Sequence, residues 1–409
     1  MSRSIDRLSP AGLTTHTLSF DEFLRREESW DELVQSSPHP LPFLCHAWLR
    51  VWWDHFGADH EFVALVVQDG DTMLAAVPLA VRRARHLGVP VTLGEIVGTG
   101  PVPTRGMGLA DKADLVVREG AAAARAQLCA ELVRLLERID VLDLKGIESS
   151  SSSDASLAGA SSRPGAARRL ERSVSPYLPL TSSWDDYLGS RSGNFRKHLR
   201  KYRRELEQLG RVEVARLGQR DDLASWMSDV ATVNAASWKA TRGTNLFRHP
   251  RIRAFMIDVA GAMARKGRLD LQRLRVNGET VAYELCFDFG GRVFSYNGSY
   301  RAELARPSPG TVLTAEVIRS ACERGKTEYD MLRGEEGYKR RWSDKYRSEL
   351  QLVLASRRPR ARHYTFWALD VMARLKRSPW LRELDDRVSG LLNRWRHRHE
   401  PLDGEGASR

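Results

Sequence analysis

Ser308-Pro309-Gly310-Thr311 stands directly before an apolar-periodic stretch that begins at Val312. A helix starting there turns unpaired backbone N–H groups and its positive dipole end toward whatever lies in front. Gly310 permits close approach of a ligand to the backbone, so Ser308, Gly310, Thr311 and Val312 make a candidate anion site suited to a pyrophosphate. The same residues equally suit a plain helix start with no ligand. Downstream, Tyr338-Lys339-Arg340-Arg341-Trp342 sets three cations between two aromatic rings. Its plain reading is a solvated basic turn anchored in the core by Tyr338 and Trp342. Glu284 falls inside a strand-like stretch, where a carboxylate must be solvated, paired or used. Used, it is a candidate general base for an incoming amine, joined by Tyr338 in the catalytic set. Unused, it faces solvent, because Val281, Tyr283, Leu285 and Phe287 alternate on the opposite face. Asp330 and Arg333 form a further polar pair, either substrate-binding or structural. No Ser/His/Asp or Cys/His set is apparent, so direct attack rather than a covalent intermediate is expected.

Two more groups are candidates for recognition. Trp238, Lys239 and Arg242 close a predicted helix and suit a sugar or acidic substrate, with Trp238 also fitting a core. The predicted helix over 194–210 has an apolar stripe of Phe195, Leu199, Tyr202, Leu206 and Leu209. The rest of it is basic: Arg196, Lys197, His198, Arg200, Lys201, Arg203 and Arg204. Such a face is either simply solvated or holds a phosphate-rich donor, a tRNA or a membrane.

The elements that must position these residues occur twice. Residues 62–67, Asp69-Gly70 and residues 72–77 read as strand, turn, strand, and so do 269–274, Asn277-Gly278 and 280–285. In each half an amphipathic stretch then leads into a further strand, over 142–146 and 330–334. A period of roughly two hundred residues implies tandem domains rather than a solenoid. The second half reads as helices over 194–210, 221–239 and 250–266 and strands over 269–276, 280–289 and 292–299. A helix over 311–324 and a strand over 329–332 complete an α/β (α+β) layer pattern on mostly antiparallel sheets. Ahead of the first unit lie a short helix over 20–33 and a buried aromatic helix, Pro42-Phe43-Leu44 to Trp52-Trp53. Residues 101–108 read as a loop, and the Ser-rich run at 149–165 as the boundary between domains 1–160 and 170–357. The tail, 358–409, repeats apolar residues helically among arginines (Tyr364, Trp367, Val371, Leu375, then Leu384, Val388, Leu391, Trp395), which suits either a membrane surface or docking on the protein. His397 and His399 gather no further ligands, so no metal is expected.

A chain of 409 residues with 42% hydrophobic content and no apolar run of spanning length fits a soluble protein. Cys45, Cys129, Cys286 and Cys322 are far apart, which argues for a reducing cytoplasm and against a zinc or disulfide framework. The N-terminus lacks the order of a signal peptide. The net charge of +12 favours an anionic partner.

The second half resembles the GNAT acyltransferases of the CelD/BcsL-like group, related to FemAB-type transferases of two GNAT-like domains. The resemblance rests on 238–243, the Asn277-Gly278 hairpin, Ser308–Thr311 and the stretch 334–342, and covers about 175–350. The first half fits a degenerate copy. The resemblance implies two tandem GNAT-like domains, ahead of the helical C-terminal tail, and coenzyme A phosphates at Ser308–Thr311, although the usual glycine pair of that loop is replaced by two prolines and one glycine. It implies that Lys339 steadies the oxyanion at the reacting carbonyl. It implies acetyl-CoA or another acyl-CoA as cosubstrate, without a metal, and a small-molecule or glycan-precursor acceptor such as a sugar or peptidoglycan precursor. The alternatives are an aminoacyl-tRNA donor, as in the FemAB branch, or a non-catalytic accessory role in exopolysaccharide assembly. The expected location is cytoplasmic, with the tail suiting an anionic membrane surface.

Overall fold

The structure, a computed structural model, describes residues 7–8, 12–102, 108–160, 167–180, 183–237, 246–334 and 336–371. The strands are β1 Arg7–Leu8, β2 Thr14–Leu18, β3 Glu61–Asp69, β4 Thr72–His86, β5 Val89–Ile96, β6 Val116–Val117 and β7 Val141–Glu148 in the first half. The second half adds β8 Ala167–Pro179, β9 Val212–Arg216, β10 Leu269–Val276, β11 Glu279–Phe289, β12 Arg292–Tyr300, β13 Glu328–Asp330 and β14 Tyr346–Ala355.

Each half repeats one plan. In the first, β3, β4 and β5 form an antiparallel meander, the Ala122–Leu135 helix crosses over, and β7 returns parallel to β5. In the second, β10, β11 and β12 form the meander, the Pro309–Glu323 helix crosses over, and β13 returns parallel to β12. Tight turns set both registers. Asn277 and Gly278 both take positive φ, as a two-residue hairpin requires. In the other hairpin only Gly70 does, between paired Asp69 and Thr72.

The halves are interlocked rather than strung together. β14 of the second half pairs with β7 of the first, and β8, at the start of the second half, pairs with β13. β8 and β14 also pair with each other, so one sheet runs through the molecule in the order β1-β2-β3-β4-β5-β7-β14-β8-β13-β12-β11-β10-β9. The cores are shared too. The aromatic helix, His46–Phe56, packs Trp48 against Phe255 of the Pro250–Arg265 helix, with ring centroids 5.7 Å apart.

Several local expectations shift. The helix expected over 20–33 is two helices, Phe20–Leu24 under a Ser19–Glu22 capping box and Glu27–Gln35. The Ser-rich run contains a helix, Ser152–Ala160. The last strand ends at Asp330, because Leu332 takes a positive φ and donates its N–H to the Asp330 carboxylate at 2.8 Å. Leu209 is 49% exposed and lies outside the Gly193–Glu207 helix, whose apolar stripe buries only Leu206 fully.

Candidate active site

Three separate segments meet around one cavity of about 610 Å³. Its lining includes Thr311 from the start of the Pro309–Glu323 helix, Arg340 and Arg341 from the basic turn, and Arg191, Asn194 and His198 from the start of the Gly193–Glu207 helix. Each entrance is built by local chemistry. Ser192 caps its helix by accepting from the Phe195 N–H. Pro309 occupies the first turn of its helix, where a missing N–H costs nothing. Trp342 is buried against Phe195, their centroids 5.0 Å apart, which leaves Arg340 and Arg341 outside on the turn. Arg191 donates to the Trp342 carbonyl at 3.1 Å and so fastens one wall to the other.

The Ser308 turn offers fewer amides than its sequence promises. Ser308 is left-handed (φ 48°), and its carbonyl accepts from both Thr311 N–H (3.0 Å) and Val312 N–H (3.3 Å). Pro309 has no N–H, so Gly310 supplies the remaining amide of the turn. The Ser308 and Thr311 hydroxyls lie 2.8 Å apart. A side chain on Gly310 would place its Cβ 2.9 Å from Cδ1 of Tyr300, so the ring beside the turn already demands glycine. Val312 is buried beneath the helix and lines a second, adjoining cavity of about 550 Å³ with Leu199, Arg200, Arg203 and Arg204. The positive charge of the site therefore comes chiefly from guanidinium groups, a donor set that fits a diphosphate.

Lys339 is buried, and its amine is engaged. It donates to the carbonyls of Arg333 (2.9 Å) and Leu332 (3.3 Å) and pairs with Glu336 at 3.0 Å. In this arrangement it clamps the loop after β13 and fixes the turn that presents Arg340 and Arg341. Tyr338 is about half exposed on the same turn.

Glu284 does not face solvent. Helices cover both faces of β11, so the face opposite Tyr283, Leu285 and Phe287 is interior as well. Its carboxylate accepts from Ser295 (2.9 Å), Thr314 (2.9 Å) and Tyr329. Burial pushes its pKa up, and the surrounding hydroxyls pull it back only in part. Tyr329 is likewise pushed up by burial and by the Glu284 charge.

Asp330 and Arg333 join the two halves of the chain. Lys112 of the first half reaches Asp330 at 2.5 Å and Glu148 at 2.9 Å, and Arg333 reaches Asp111 at 2.6 Å. Arg347 on β14 continues the network, bidentate to Glu328 (2.7 and 2.6 Å) and stacked on Tyr177 at 3.6 Å. Sequence reading missed Lys112, Asp111 and Arg347 because their partners lie on distant segments. Arg191 and Asn194 had a local signal, the Ser-Gly-Asn helix start beside a basic run. Trp238, Lys239 and Arg242 lie outside the described residues. The segment that carries them departs beside the end of β12, where Ser237 pairs with Arg301.

β12 pairs with β13 only over Arg292–Phe294, although β12 continues to Tyr300. Every residue of β13 is paired, so the pairing stops where β13 ends at Asp330. An antiparallel meander, a crossover helix and a returning parallel strand are the plan of a GNAT-like fold.

Residues 193–340 match the family model for the acetyltransferase (GNAT) domain. Its structure is similar to FemX, with 12% identity, a TM-score of 0.59, and 80% of this chain and 95% of that one covered. It is also similar to the C-terminal domain of a putative lysylphosphatidylglycerol synthetase from Agrobacterium fabrum, with 12% identity, a TM-score of 0.53, and 84% and 97% covered. At these identities the likeness is one of fold. No curated protein matches the chain in sequence.

Proposed function

We propose that this chain transfers an acyl group from a coenzyme A thioester directly to an amine or hydroxyl of a sugar, peptidoglycan or other envelope precursor. The observation that carries the reading is the shared cavity, which brings Thr311, Arg340, Arg341, Arg191 and His198 together at a helix start. Those residues would hold the donor's phosphates, Arg340 and Arg341 by charge-assisted hydrogen bonds. The acceptor's nitrogen or oxygen attacks the thioester carbonyl, the C–S bond breaks, and the thiolate leaves with the proton the acceptor gives up. Lys339 serves by holding the loop and turn in register. Acceptor recognition falls to the segment of Trp238, Lys239 and Arg242, which leaves from the end of β12.

Calorimetric titration of the full chain with acetyl-CoA tests the donor. Saturable binding that weakens at least tenfold in Arg340→Ala/Arg341→Ala supports it, whereas no binding at millimolar concentration removes coenzyme A. One observation favours an aminoacyl-tRNA donor instead. Lys197, Arg200 and Arg204 are exposed on the Gly193–Glu207 helix without acidic partners among the described residues. Steeply salt-dependent binding of tRNA would select that donor.

A further inference from the structure

The β4–β5 hairpin breaks a rule that the other tight hairpins of this chain keep. Those turns use Gly70-Asp71, Asn277-Gly278 and Gly290-Gly291, residue types that suit tight and left-handed turns. Here Leu87 takes the left-handed position (φ 48°) before Gly88. A leucine loses stability there relative to glycine or asparagine, and it recovers none by packing, since it is 65% exposed.

The first residues after β14 come back to the same place. The Pro359–Thr365 helix docks Ala361 and Tyr364 against Val89, Val91 and Leu93 of the hairpin. His86 lies 5.2 Å from Tyr364 and 6.1 Å from His363, ring to ring, and His363 lies 6.4 Å from Trp367. Trp367 and Phe366, 5.5 Å apart, are 36% and 53% exposed. The hairpin tip and the segment docked beside it thus carry three of the large exposed apolar side chains among the described residues. Arg83, Arg85, Arg357 and Arg362 are exposed on the same two elements and their junction, with no acidic partner among the described residues.

We propose that Leu87, Phe366 and Trp367, with this arginine collar, form a docking surface for an anionic lipid bilayer. Small apolar anchors surrounded by unpaired cations match the interface of such a bilayer, where the rings and the leucine enter the headgroup region and the guanidinium groups meet lipid phosphates. A protein partner would need a shaped counterpart, whereas a bilayer needs only a protruding tip. Among the described residues no helix is long and apolar enough to cross a membrane, so the contact is peripheral. The inference is independent of the donor assignment.

Co-sedimentation of the full chain with vesicles tests it. Vesicles of phosphatidylcholine with about a third phosphatidylglycerol should bind the protein at least tenfold more tightly than phosphatidylcholine alone. Leu87→Glu/Trp367→Glu should abolish that binding, and Arg85→Glu/Arg362→Glu should weaken it tenfold or more. All four positions are exposed, so the melting temperature should stay near that of the parent. Brominated lipid should quench tryptophan emission less in Trp367→Phe than in the parent. Equal binding to both vesicle types, or binding unchanged in Leu87→Glu/Trp367→Glu, overturns the proposal. So does the absence of vesicle binding together with a self-association that Leu87→Glu removes, which would assign the patch to a second copy of the chain. If residues 372–409 cover the patch instead, the brominated lipid leaves the Trp367 signal unquenched, and the proposal fails.

Discussion

Lys112, in the loop before β6, donates to Asp330 on β13 at 2.5 Å, and neither side chain reaches solvent. The pair crosses from one half of the chain to the other, and Glu148 on β7 shares the same ammonium at 2.9 Å. Burial alone would discharge Lys112, but the two carboxylates outweigh it and raise its pKa.

Replacing Lys112 by Met should therefore unfold more than the loop. It leaves Asp330 and Glu148 with only the more distant Arg347, at 3.8 and 3.5 Å, and breaking such a cluster from one side costs roughly 3–5 kcal/mol. Chemical denaturation should show that loss, and Lys112→Met/Asp330→Leu should recover much of it. A double variant no more stable than the single one would contradict this account.

Acid should weaken the same junction. Glu148 has its pKa lowered because Lys112 and nearby arginines outweigh its burial. The stability it contributes is present above its unfolded value of about 4.3 and is lost as pH falls through the lower folded value. In Glu148→Gln, thermal stability below pH 4.3 should fall less steeply than in the parent.

Glu284 should behave in the opposite sense. Its folded pKa is raised by burial, so its contribution is complete below about pH 4.3 and is lost as pH rises through the folded value. Glu284→Gln should flatten that loss in melting curves taken from pH 4 to 8. Should Glu284 serve only to tie Thr314, Ser295 and Tyr329 together, transfer activity in this variant stays within a few-fold. A loss of about a thousandfold would instead mark it as the base.

Gly310→Ala separates two reasons for a glycine. If the ring of Tyr300 is the constraint, the variant loses about 1–3 kcal/mol. Gly310→Ala/Tyr300→Leu then regains stability and still binds donor. Donor binding lost in the stable double variant would show that the ligand, not the ring, needs the bare backbone.

The expected elements held where the signal was local. Asn277-Gly278 placed a hairpin, and its Asn side chain also fastens the preceding loop by accepting from Arg211 N–H at 2.9 Å. Ser308–Thr311 did open a helix, and Pro309 explains its start. Glu284 misled because alternation along a strand shows which residues share a face, not whether that face is wet. Covering helices on both sides made its face interior, and the hydroxyls that receive it come from Ser295, Thr314 and Tyr329 on three other elements.

By itself the sequence determined the repeated plan of hairpin, helix and returning strand, since turn chemistry and hydrophobic period act over a few residues. It also showed the basic turn and the helix start as separate candidates. Only the tertiary structure decided that these candidates and the start of the Gly193–Glu207 helix share one cavity, that β14 crosses to pair with β7, and that Asp330 and Arg333 answer to Lys112 and Asp111. Those outcomes depend on contacts between residues more than a hundred positions apart, and charge complementarity across such distances is satisfied by many pairings until the packed sheet selects one.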